Sequence, residues 1–426
     1  MRAILLAAAT LALLAGCGGE PRRDAPVTIV FKHARMFGDD PVPRLVAAFE
    51  ARHPGVRVKT EALGSSSDEQ HQFFVINLEG SLGRRGRGPG FDVMMLDVIW
   101  APEFARAGWL LDLTPSLAPG ELDAHFQAAA DAATFNGRVW ALPWNFNVGV
   151  LYYRADLLAR HGIAPPRTDV ELADAVRRIR AAEREPKLDG YVWQGKQYEG
   201  LTCNALEALW ASGTSLLGPG GDVLPDVTRA EQALARLRGW IEDGLSPAWV
   251  SAADEELTRR AFGDGRAIFL RNWFYAMDLF DEPGAAVRGR VGIAPLPRRV
   301  PDIAAPGSTG GSLLGVSRAT RHPDSAVALA RFLAGEDAQR VLAGGSVLPT
   351  RRSLYFDPAL VAKRPHMPAF HDLAMAARPR PVTPAYLMLS TSLQPEVSAV
   401  VVGVKSPARA VADARRQLAY ALSGIR

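Results

Sequence analysis

Between Trp144 and Asn147 two aromatic rings alternate with two short amides. These residue types suit recognition more than bond-making: a ring accepts an apolar C–H face, and an amide both donates to and accepts from hydroxyls. A carbohydrate offers both kinds of surface. An ordinary core strand with a Trp at its edge uses the same residues, and the four positions alone leave both readings open. Covalent chemistry needs groupings that this chain lacks: there is no G-x-S-x-G elbow, no H-E-x-x-H, no Walker A lysine loop and no Cys/His cluster with metal spacing. The eight histidines are dispersed. Glycoside hydrolysis asks only for two carboxylates about 5 to 10 Å apart, and Asp97 with Asp39, Asp40 or Glu199 is the nearest candidate set. No metal or organic cofactor is expected.

The elements that must position such residues follow from periodicity. Val27 to Phe31 reads as a buried strand, Pro43 to His53 as a helix stopped by Pro54-Gly55, and Val56 to Thr60 as the next strand. Strand, helix, strand predicts a βαβ unit and a parallel sheet. A helix over Ser65 to Leu82, with Ser66, Ser67 and Asp68 as caps, leads to the apolar strand Phe91 to Leu96, which ends at Asp97. An acid just past the carboxyl end of a buried parallel strand is placed to face a cleft; a helix cap is the alternative role. Gly137 opens a turn, Val139 to Pro143 and Val148 to Tyr153 read as two strands meeting at Leu142-Pro143, and a helix starts at Ala155. The spacing predicts a crossing between two lobes there, with residues 144 to 147 exposed where the chain emerges. Helices are expected near 169–183, 199–213 and 228–243, then from Glu255 to about Gly265. The strand Ala267 to Leu270 runs toward Trp273 and Tyr275 at a strand-to-helix junction, where open α/β folds place ligand-facing groups; a core position is the alternative for Trp273. Val291 to Pro297 reads as a return crossing and Leu348 to Arg351 as a third, with two helices at the C-terminus.

The composition, 48% apolar and 22% charged over 426 residues, fits two soluble domains. Net charge is +4, but the basic residues are interleaved with acids, so no nucleic-acid partner is expected. The cluster Arg84 to Arg87 reads as a solvated loop. Met1-Arg2, the apolar run Ala3 to Leu14 and Leu14-Ala15-Gly16-Cys17 read as a signal segment with a small-residue cleavage site, and the site resembles a bacterial lipobox. The resemblance implies a lipid on Cys17, membrane contact through that anchor only, and a polar tether to Pro26. Cys203 is the one other cysteine, so no intramolecular disulfide is expected, and it reads as a buried helix thiol.

Val139 to Leu158, followed by His161-Gly162, Pro165 to Thr168 and Glu171-Leu172, resembles the hinge of the extracellular solute-binding proteins, family 1, that feed sugar ABC importers. Within that family the chain is most similar to the trehalose/maltose-binding group, whose loop Trp193 to Leu201 nearly reproduces, and the likeness runs from about residue 27 to the C-terminus. It implies an α/β, two-lobe periplasmic-binding-protein-like fold with a hinge of multiple chain crossings. The implied organisation is a signal peptide over 1–16, a tether over 17–26, lobe 1 over 27–141 and 295–346, and lobe 2 over 142–294 and 347–426. It further implies that Asp97 is an acidic sugar contact and Trp273 a stacking ring, with Tyr275, Gly311 and Arg380 as further contacts and Glu199 in the same set. An alternative for Arg380 is a surface ion pair. Asp40 is carried over across a gap, and Asp39 serves equally there. Where the family often has Tyr and Asp this chain has Asn145 and Asn147, and Ser312 replaces a Trp commonly found after the double glycine. The implied partners are a small saccharide, favoured as trehalose or maltose, and the permease subunits of an importer, with an ATPase behind them. The implied protein is a monomeric binder, not an enzyme, held outside the cytoplasmic membrane; a polyol or another solute is the alternative cargo.

Overall fold

The computed structural model describes residues 26–34, 40–64, 67–83, 89–345 and 347–423. The signal segment, Cys17, Asp39 and the Arg84-to-Arg87 loop lie outside the described residues. Strand β1 (Val27–Ala34) pairs in parallel with β2 (Val56–Leu63), and α1 (Val42–Arg52) connects them, burying Val42, Leu45 and Phe49 at helical spacing. After α2 (Ser67–Gly83), β3 (Val93–Asp97) joins the other edge of β1, also in parallel. The βαβ arrangement expected from periodicity is present.

Helices α3 (Ala101–Arg106) and α4 (Gln127–Ala133) lead into a small hairpin of β4 (Thr134–Phe135) and β5 (Arg138–Val139). Its turn residues Asn136 and Gly137 both have positive φ, as a type I′ turn requires. The two strands expected to meet at Leu142-Pro143 are instead one strand, β6 (Ala141–Arg154). A bulge makes this possible: Ser312 faces Asn145 and Leu313 faces Pro143, so Trp144 is the extra residue, and the missing Pro143 N–H falls beside the interruption.

Beyond β6 come α5 (Ala155–Arg160), α6 (Asp169–Glu183), β7 (Asp189–Val192), α7 (Glu199–Ala211), α8 (Val227–Glu242) and α9 (Glu255–Gly263). Thr168 and Glu171 open α6 with a reciprocal capping box. Strand β8 (Ala267–Trp273), three residues longer than its apolar run suggests, precedes α10 (Ala276–Phe280), β9 (Val291–Ala294) and β10 (Thr309–Val316). The chain ends in α11 (Pro323–Ala334), α12 (Glu336–Ala343), α13 (Pro358–Lys363), α14 (Met367–Met375), α15 (Tyr386–Val401) and α16 (Pro407–Ser423).

The strand order is β2-β1-β3-β10-β6-β8-β7, with β9 also on β6; β10 runs antiparallel to both β3 and β6. Along β1, β3 and β10 alternate side chains feed opposite faces: Val93 and Leu314 pack with α1 and α11, Met94 and Leu313 with α2 and α3. A separate, larger core holds β7, β8, β9 and helices α5 to α10 and α13 to α16. The mixed two-lobe α/β architecture is therefore present, and β6 enters both halves: Leu142 and Trp144 belong to the smaller one, Phe146, Val148 and Val150 to the larger. Trp144 and Phe146, expected to be exposed, are buried. Strand β9, read as a crossing, pairs with Leu151 to Arg154 within the larger half, and the chain returns to the middle of β6 only at residues 307–309, where the Gly149 N–H donates to Ser308 O at 3.1 Å. Leu348 O accepts from the Phe146 N–H at 3.0 Å, and Pro349 bridges to Asn145.

Candidate functional site

Strand ends and helix starts converge on one cleft of about 520 Å³, within the range of small-molecule sites. Asp97 is the last residue of β3 and Trp273 the last of β8, and Tyr275 stands immediately before α10. From β6, Asn145 and Asn147 line the cleft while the alternating rings Trp144 and Phe146 turn into the cores. Gly310, Gly311 and Ser312 supply the edge of β10. Gly311 has φ +111°, and a Cβ there would lie 2.3 Å from Asn145 O, so the close approach of β10 to β6 needs glycine.

Arg380 organises the polar side. Its buried guanidinium donates from Nη2 to Asp97 Oδ1 at 2.7 Å, from Nη1 to Glu199 Oε1 at 2.7 Å, and from Nε to Thr309 O at 3.1 Å. Glu199 also accepts from Tyr386 Oη at 2.6 Å and Ser390 Oγ at 2.5 Å. Burial raises the Glu199 pKa, and the Arg380 charge works against that rise without cancelling it. Burial alone would lower the Arg380 pKa; the charges around it, Asp97 foremost, more than reverse this, so the guanidinium is charged at any working pH. Asp97 accepts further from Ser67 Oγ at 3.2 Å.

The aromatic side is built on α9. Trp273 Nε1 donates to Glu255 Oε1 at 3.2 Å, Tyr198 Oη to Glu255 Oε2 at 2.5 Å, and Tyr275 Oη to Glu256 Oε1 at 3.1 Å. Asp254 caps the helix through the Leu257 N–H at 3.0 Å. Three consecutive acids are tolerated there because the free N–H groups of a helix start carry partial positive charge.

The cleft thus gathers Asp97, Asn145, Asn147, Glu199, Trp273, Tyr275, Gly311 and Arg380. It does not gather Asp40, whose carboxylate accepts from the Val42 N–H at 2.9 Å and starts α1 instead. Lys196, Tyr198, Asp68 and the acids 254 to 256 line the cleft without having been singled out from sequence. Their signal was local: each sits in the first turn of a helix or just before one, where capping explains it equally well. Cys203 is buried in α7 with its thiol pKa pushed up by burial. Among the described residues no three His, Cys, Asp or Glu side chains group as a metal site, and no helix is long and apolar enough to cross a membrane.

The pattern of the bacterial extracellular solute-binding proteins matches residues 39–340. A probable ABC transporter-binding protein of Deinococcus radiodurans is 36% identical over 343 residues, covering 77% of this chain and 79% of the relative. An uncharacterized lipoprotein of Streptomyces antibioticus is 28% identical over 400 residues, 89% of this chain and 83% of that one. Among solved structures, the maltose-bound MalE3 of T. maritima superposes with a TM-score of 0.83 at 32% identity, over 92% of this chain and 99% of its own. The family is one of substrate-binding proteins rather than enzymes, which removes the hydrolase reading of the paired carboxylates. The chain belongs to the bacterial extracellular solute-binding protein family.

Proposed function

We propose that the cleft captures an uncharged saccharide, favoured as an α-linked glucose disaccharide such as maltose or trehalose, and delivers it to the permease subunits of an ABC importer. The observation that carries this reading is the joining, in one cleft, of the Trp273 ring to a hydroxyl-binding set made of Asp97, Glu199, Arg380, Asn145 and Asn147. The ring receives the sugar's C–H face, and ionised acceptors and a guanidinium meet its hydroxyls with charge-assisted bonds. The likeness to a maltose-bound structure supports the choice of sugar. Closure of the halves about β6 traps the ligand, because groups from both then contact it. The lipobox-like sequence at Cys17, together with a relative named a lipoprotein, supports tethering outside the cytoplasmic membrane. Calorimetric titration with maltose, trehalose and linear polyols tests the cargo: saturable binding of a disaccharide is expected, and binding of polyols alone would replace the saccharide by the smaller class. Labelled palmitate incorporation lost in Cys17→Ala tests the anchor.

A further inference from the structure

Arg271 is fully buried, directly after the apolar run Ala267 to Leu270 of β8. Its donors are almost all engaged: Nε and Nη2 fork onto Glu207 at 2.9 and 2.5 Å, Nη1 reaches Gln194 Oε1 at 3.2 Å, and Nη2 also reaches Ser308 Oγ at 3.2 Å. A buried ion pair is weak evidence for stability, since apolar residues of equal volume commonly serve as well. The fold nevertheless makes room for it. A Cβ at Gly149 would lie 2.2 Å from Glu207 Oε1 and 2.3 Å from Arg271 Nη2, so β6 carries glycine where the pair passes.

The pair's neighbour suggests its use. Arg271 and Trp273 are two apart on one strand and so project to the same side; the guanidinium carbon lies 4.2 Å from the Trp273 ring centroid. Trp273 lines the cleft and Arg271 does not, so the cation backs the ring from the protein side. The indole is held besides by Nε1 on Glu255 and by Gly310, where a Cβ would stand 3.1 Å from the ring. We infer that Arg271, fixed by Glu207, is a positioning residue that clamps Trp273 at the angle from which its other face meets the ligand. The affinity consequence rests on the saccharide reading; the clamp itself does not.

The test replaces both charges at once, Glu207→Gln with Arg271→Met, to avoid leaving a lone buried ion, and uses the charge-retaining Arg271→Lys as a second variant in case the pair fails to fold. The protein is labelled with 5-fluorotryptophan, and the Trp273 line among nine tryptophans is assigned by its loss in Trp273→Phe. Without any ligand, that line is expected to shift and broaden in either variant; an unchanged line overturns the clamp. In maltose titrations the variants should lose about 10-fold in affinity in the native background and less than about 2-fold when Trp273 is already alanine. Equal losses in both backgrounds would overturn the assignment, showing that Arg271 acts elsewhere. Absence of maltose binding in the unmodified protein would count against the saccharide reading, while the fluorine line still decides the clamp.

Discussion

Arg380 donates to Asp97 at 2.7 Å across 283 positions of sequence, and its other terminal nitrogen holds Glu199 at the same distance. Asp97 ends a strand of the smaller half and Glu199 starts a helix of the larger, so one guanidinium ties both walls of the cleft. Arg380→Met is expected to leave Glu199 buried without its cation, lowering the thermal midpoint and cutting maltose affinity by ~1.5–3 kcal/mol. Arg380→Lys should restore only part of either loss, because an ammonium cannot fork between two carboxylates. Calorimetry and thermal denaturation on the same samples check both.

Trp273→Ala should cost ~1–3 kcal/mol of sugar affinity with little change in unfolding midpoint, since the ring lies at the cleft surface rather than in a core. Trp273→Phe should recover a part. Unchanged titration curves for Trp273→Ala would remove the ring from the site.

Gly311→Ala places a methyl 2.3 Å from Asn145 O at a backbone angle that side chains rarely adopt. Destabilisation by ~1–3 kcal/mol is expected, read as a lower urea midpoint. Ligand affinity should fall with it, because Gly311 and Asn145 both line the cleft.

His125 gives a pH dependence with a definite sign. Burial, with the neighbouring charges of Arg351 and Arg352, lowers its pKa to about 3 from the ordinary 6.5, and Nδ1 lies 2.7 Å from Thr350 Oγ1. The unfolded chain therefore binds more protons between pH 3 and 6.5. The contribution is fully present above pH 6.5 and is lost as pH falls toward 3. Relative to His125→Gln, the native protein should lose about 2 kcal/mol between pH 7 and pH 5, measurable by urea unfolding at both.

Much of this arrangement was legible in the residues. Asp97 was legible as the residue that follows an apolar run and Trp273 as one at a strand-to-helix junction; both line the cleft because a strand's end must emerge from the sheet wherever its neighbours lie. The burial of Trp144 and Phe146 was not legible. Period-two alternation says that Asn145 and Asn147 share a face, but which face is inward depends on two cores that only the assembled sheet defines. Arg271 was passed over, although a cation directly after the apolar run Ala267 to Leu270 and within the same strand is a sequence anomaly; its partner Glu207 lies on α7, at a distance no local rule spans. Asp40 shows the converse: a short acid before Pro41 satisfies a helix start without any cleft, and the local explanation was the operative one.

The bulge at Trp144 has a mechanical consequence. It breaks the ladder at the step where β6 leaves the smaller core for the larger, so rotation of one half against the other can be absorbed in a single irregular peptide, with the regular pairing on either side intact. Motion of that kind is a pivot rather than a slackening. If the halves rotate as proposed, amide exchange should stay slow along Val150 to Tyr153 and in β3, with the faster protons confined to the neighbourhood of residues 143 to 146.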